Sequence, residues 1–293
     1  MAAALIRNVT IRHVEQEITR RRQDISGPDG HPALRTSSMT HLAWVPEPWE
    51  QAAREALAGL AERHPSRGIL LLPRPDDPRD ELDAQVDVRS FRDDALGREV
   101  CAEVIAIRLN GPRANAPASV VLPLLIADLP VFLRWRGELP FGTQPLEELL
   151  DVVDRIIVDS REWEEPEADL VCLATLVERV ALSDIAWART QPWREAIAAL
   201  WPGVAEASTL RIAGPEADAL LLAHWLGARL RRRIELKRRP AEEVELVEVD
   251  GVSARPRRLE QRSSSDLLSE QLDLFERDAV YEEALWSFSP APT

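Results

Sequence analysis

The sequence predicts an α/β protein, a three-layer mixed-sheet domain followed by a smaller α/β lobe. Residues 39–45, 48–64 and 68–72 read in succession as strand, amphipathic helix and strand. Such a βαβ unit implies parallel pairing and a right-handed crossover. Residues 100–109 are mostly apolar on both faces, as a covered strand must be, and Ile156, Ile157 and Val158 form the apolar middle of a further strand at 155–159. The order strand, helix, strand then returns after Gly203, which places the expected domains at 1–203 and 204–293.

In chain order, residues 11–25 carry Ile11, Val14, Ile18 and Ile25 at helical spacing on a charged background, and SGPDGH at 26–31 breaks that helix. The helix over 48–64 has Pro48 near its first turn and Trp49, Ala52, Ala56, Leu57 and Leu60 recurring every three or four positions. Residues 73–83 are an acidic, proline-rich loop. The alternation in 85–91 predicts an edge strand beside a central strand at 100–109.

The most distinctive stretch is SVVLPLLIADLPVFLRWRG at 119–137. Its first half is apolar nearly all round, which predicts a buried helix bent at Pro123. Val131, Phe132 and Leu133 then form a strand that delivers Arg134, Trp135 and Arg136 where the chain leaves the core. The carboxyl end of a strand is where α/β proteins place binding sites, although a tryptophan there can also simply cover the sheet end.

A short helix capped by Thr143, the strand 155–159 and a helix over 167–180 follow. Residues 182–201, LSDIAWARTQPWREAIAALW, place Trp187, Trp193 and Trp201 beside Asp184, Arg189 and Arg194. These are the residue types that dominate interaction hot spots, and they are also ordinary core residues. Pro192 starts a helix with Trp193, Ile197 and Leu200 on its inward stripe. Beyond Gly203 come a strand at 208–213, a long apolar helix to about Leu230, strand-like runs near Ile234, 244–249 and 253–259, and one or two helices within 266–288.

Composition narrows the function. The net charge of −14 argues against a nucleic-acid partner, and the basic run RLRRRIELKRR at 229–239 reads as a solvated face. Lys237 is the only lysine and lies in neither a phosphate loop nor a Schiff-base context. Cys101 and Cys172 are far apart with no CxxC, a usage that suits a reducing cytoplasm. No apolar run approaches the roughly 20 residues of a membrane span, so a cytoplasmic protein without a signal peptide is expected. GxGxxG, GxxxxGK, GxSxG and HExxH are absent, and the histidines stand alone in sequence. No catalytic residue, metal site or cofactor is therefore expected.

With these segments laid out, the chain resembles the glucose-6-phosphate dehydrogenase assembly protein OpcA family. The resemblance runs through RTSSMTHLAWVPE, LAERHPSRGILL, SVVLPLLIADLPVFLRWRG, RIIVDS, LSDIAWARTQPWREAIAAL, LLLAHWLGARL and LLSEQLDLFERDAVYEEAL, in family order. It implies a non-enzymatic cytoplasmic protein that binds glucose-6-phosphate dehydrogenase, aids its oligomeric assembly and raises its activity. The family's PWR falls on Pro192, Trp193 and Arg194, its DLxW element on Asp184, Ile185 and Trp187, and its strand-ending tryptophan on Trp135. Many relatives have two adjacent tryptophans where Arg134 and Arg136 flank Trp135 here, and some carry a cysteine where this chain has Ser66. Thiol control is accordingly not expected. Trp135, Asp184, Trp187, Arg189, Trp193 and Arg194 are expected to form or support the contact surface for the dehydrogenase. The alternative is a sugar-phosphate-binding sensor or enzyme that uses Arg134 and Arg136 at the strand end.

Overall fold

The computed structural model describes residues 5–24, 34–35, 37–60, 66–93, 98–259 and 262–288. The chain divides into two compact units, Met1–Ile156 and Ile157–Thr293. The first unit opens with α1 (Ile11–Asp24), whose Val14 and Ile18 are buried. The expected break at 26–31 lies outside the described residues. β1 (Leu34–Arg35) is followed by β2 (Thr40–Trp44), α2 (Glu50–Leu60) and β3 (Arg67–Arg74), with β2 and β3 parallel as expected. Ala53 and Leu57 of α2 pack on Ala43, Val45, Leu70, Leu72 and Ala106. The helix was expected to reach 64, and positions 61–64 fall outside the described residues.

β4 (Leu82–Asp93) and β5 (Arg98–Asn110) form a long antiparallel pair, and β5 also runs parallel to β3. The expected edge and central strands are these two. Ile69, Leu70 and Leu71 are fully buried on both faces of β3, the pattern of a strand inside a covered parallel sheet. Gly111 ends β5 with φ +55°, and a Cβ there would meet Arg79 O at 2.5 Å, so only glycine fits the turn.

The apolar stretch does not form one bent helix. α3 (Pro117–Val121) stops before Pro123, a single tight turn covers Leu122–Leu124, and Leu122 is exposed. Pro123 has no N–H to continue the ladder. The turn is instead held by Arg67, whose Nη1 donates to Leu124 O at 2.6 Å while its Nε donates to the buried Glu103 carboxylate at 2.6 Å. β6 (Val131–Trp135) then lies parallel to β2, with Trp135 opposite Trp44. In α4 (Gln144–Leu150), Thr143 occupies the cap position but its hydroxyl donates to Pro140 O rather than accepting from the helix. The boundary between units falls within β7 (Arg155–Val158).

The second unit continues with α5 (Pro166–Ala174), shorter than the helix expected over 167–180 because the chain tightens into i→i+3 turns from Thr175 onward. β8 (Ala181–Asp184), α6 (Ile185–Arg189) and α7 (Gln191–Ala198) follow, with Pro192 in the first turn of α7. β9 (Thr209–Ala213), α8 (Glu216–Leu230) and β10 (Glu235–Arg239) make a second parallel βαβ unit, and β11 (Leu246–Val249) and β12 (Val252–Ser253) complete a sheet in the order β10-β9-β11-β12. α9 (Ser264–Leu272) starts on a capping box between Ser263 and Asp266, and α10 (Ala279–Trp286) on Asp278. Residues 204–293 and 157–203 belong to the second compact unit. Side-chain bonds such as Trp187 Nε1 to Asp278 join the two segments. Among the described residues, no helix is long and apolar enough to cross a membrane.

Candidate functional site

Five of the six expected contact residues meet in the second unit. Asp184 ends β8 and caps α6, accepting from Ala186 N at 2.8 Å. It also accepts from Ser160 N at 3.1 Å, Ser160 Oγ at 2.7 Å and Tyr281 Oη at 3.3 Å. One fully buried carboxylate thus joins the turn after β7, the start of α6 and the middle of α10. Burial, with the neighbouring Asp159 charge, pushes its pKa up to about 6, while its hydrogen bonds pull the other way.

This shift has a pH signature. The folded protein holds a proton on Asp184 that the unfolded chain releases near its ordinary value of 3.8. The stabilisation is therefore complete below that value and lost as pH rises through about 6. Asp184→Asn is expected to remove that loss, on the order of 2–3 kcal/mol. Denaturant midpoints of both proteins across this range should show wild type weakening relative to the variant as pH rises. Parallel curves would mean that Asp184 titrates normally.

Asp159 holds Arg189 through a two-pronged pair at 2.8 and 2.9 Å. Trp187 donates from Nε1 to Asp278 at 2.8 Å and lies 5.3 Å from the Tyr281 ring. The Arg194 guanidinium sits 3.4 Å over the Trp187 ring and donates to Trp187 O at 2.6 Å and Thr190 Oγ1 at 2.5 Å. Burial outweighs nearby carboxylates and lowers its pKa to about 10, so it remains charged near neutrality. Asp184, Trp187 and Trp193 are buried, and Arg189 and one side of Trp193 line an open cleft of about 550 Å³. Arg161, Arg262, Pro192 and Leu267 also line it.

The sixth expected residue, Trp135, is in the first unit and 1% exposed. It stacks on Trp44 at 4.9 Å and donates from Nε1 to Glu138 O at 2.9 Å. Arg134 is buried and donates to Trp135 O, while Arg136 lies 5.0 Å over the Trp49 ring. Trp135 is thus buried at the end of β6. Among the described residues, no group of three or more His, Cys, Asp or Glu is placed to hold a metal ion. Cys172 is an exposed free thiol, and the side chain of Cys101 lies outside those described.

Sequence reasoning missed Asp159, Ser160, Arg161, Asp218 and Tyr281. Asp218 offered the clearest signal, a carboxylate inside the apolar run ADALLLAHW. In the structure it is fully buried and receives Arg161 Nε at 2.7 Å and Nη2 at 2.6 Å.

Residues 57–175 match the family model described as the glucose-6-phosphate dehydrogenase subunit N-terminal domain, and residues 180–285 match the corresponding C-terminal domain. Among curated proteins, the chain is similar to the putative OxPP cycle protein OpcA of Synechocystis, at 30% identity over 186 residues. That match covers 58% of this chain and 38% of the relative. It is 29% identical over 184 residues to the protein of the same name from Nostoc punctiforme, covering 58% and 39%. The matches thus span about two-fifths of the length of these relatives.

Proposed function

Because the chain belongs to the OpcA family of glucose-6-phosphate dehydrogenase assembly proteins, we propose that it is a non-catalytic cytoplasmic activator that binds this dehydrogenase and favours its active oligomer or conformation. The observation that carries the reading is the succession of two dehydrogenase-subunit domain models along one chain. The site agrees in kind, since it gathers arginines, carboxylates and tryptophans on α6 and α7, the residue types of interaction hot spots. A protein of this type supplies the pentose phosphate pathway with regulation rather than with a reaction step.

Activation without catalytic groups requires tighter binding to the active state than to the inactive one. A tenfold effect needs about 1.4 kcal/mol of difference, within reach of a few buried anchors. The proposed contact surface is built on α6 and α7, with Arg189, Trp193 and Arg194 beside the contact and Asp184 and Trp187 holding the helices in place. Trp135 supports the fold of the first unit.

The test is the rate of the same organism's dehydrogenase at subsaturating substrate, with and without this protein, alongside elution volume. Faster turnover with co-elution is expected. Trp193→Ala and Arg194→Ala, each verified as folded, should weaken activation by about tenfold. Unchanged activation in both would remove α7 from the contact, and no co-elution in wild type would overturn the reading itself.

A further inference from the structure

We propose that the cleft of the second unit binds a small organic phosphate, and that Glu243 occupies the phosphate position in its absence. Arg161 is shared between two unlike carboxylates. Asp218 is fully buried and takes the Nε and Nη2 edge at 2.7 and 2.6 Å, an attachment that belongs to the fold. Glu243 lies between β10 and β11 with its side chain 75% exposed, and it takes the outer edge, both oxygens 3.0 Å from Nη1.

An exposed carboxylate on such an edge contributes little to stability, although Glu243 accepts from both Nη1 and Nη2 of Arg161. A phosphate monoester offers the same paired oxygens with more charge, which suits the planar guanidinium fork better. The rest of the cleft fits such a ligand. Arg189 and Arg262 add two further guanidinium groups, with side chains 17% and 22% exposed. Each is already oriented, Arg189 by Asp159 and Arg262 by Ala188 O at 3.1 Å and Glu270 at 2.7 Å. Trp193, Pro192 and Leu267 supply a wall for the carbon skeleton, and about 550 Å³ accommodates a phosphorylated sugar. The cleft differs from the strand-end arginines expected from sequence, of which Arg134 is buried against Trp135 O.

This inference concerns the chain alone, so its failure leaves the dehydrogenase reading untouched. Calorimetric titration of the full chain with inorganic phosphate and with glucose 6-phosphate tests it, with succinate as a carboxylate control. Saturable binding is expected for both phosphates, tighter for the sugar phosphate because the apolar wall is used, and weaker for succinate. Glu243→Ala should bind either phosphate up to about fivefold more tightly, because the internal competitor is gone. Arg262→Gln should weaken binding by about tenfold. Equal titrations for wild type and Glu243→Ala, or no saturable heat with either phosphate, would overturn the proposal. Succinate binding as tightly as phosphate would overturn the assignment to phosphates.

Discussion

Arg161→Met is expected to destabilise the protein by about 3–5 kcal/mol, the cost of leaving a buried carboxylate without its cation. Asp218 has no access to water, and Arg161 satisfies both of its oxygens. Burial works against the Arg161 charge, but the hydrogen bonds and charges of Asp218 and Glu243 outweigh it and raise the pKa above the ordinary arginine value. Removing the cation forces Asp218 to take up a proton or to open the site to water. The double variant Arg161→Met with Asp218→Asn should recover much of the loss, because neither charge then remains buried. Glu243→Ala, which touches only the exposed edge, should cost no more than about 1 kcal/mol. Denaturant unfolding of wild type, Arg161→Met, Asp218→Asn and the double variant gives the coupling directly. Additive single losses would mean that the buried pair contributes no mutual stabilisation.

Trp135→Ala should cost about 3–5 kcal/mol through the cavity it leaves at the end of the first unit's sheet. The stacking follows from register, since Trp44 and Trp135 are paired positions on adjacent parallel strands. Trp135→Phe keeps a ring on Trp44 and loses the indole bond to Glu138 O, so about 1–2 kcal/mol is expected. Its binding to the dehydrogenase should match wild type, in keeping with a residue 1% exposed. Loss of binding by a stable Phe variant would mean that Trp135 meets the partner after all.

Periodicity made most of the fold legible. The βαβ unit at β2, α2 and β3, the β4 and β5 pair and the β9, α8, β10 unit all follow from spacings of two or 3.6 residues. The stretch 119–127 did not, because hydrophobicity alone cannot say that Pro123 stops a helix instead of bending it, nor that Arg67 waits to bind the freed carbonyl of Leu124. The candidate site was legible only where it is contiguous. Asp184 to Arg194 stand within one stretch, whereas Asp184 bonds Ser160 24 positions away and Tyr281 97 positions away. No local pattern links such partners. The burial of Trp135 likewise comes from its register opposite Trp44, which residue type alone does not reveal.

The basic run at 229–239 has a further consequence for crowded solution. β10 is the outermost strand of its sheet, with its edge backbone groups open to any extended chain that drifts alongside. Four of its five side chains, Glu235, Lys237, Arg238 and Arg239, are charged, and the last three carry the same sign. Each of those cations is paired with a carboxylate of its own chain, Lys237 with Glu235, Arg238 with Glu216 and Arg239 with Glu245, and a second molecule docking edge to edge would have to disturb these pairs. The cost of disturbing those pairs guards the strand against fibrous stacking, a duty separate from the chemistry of the cleft.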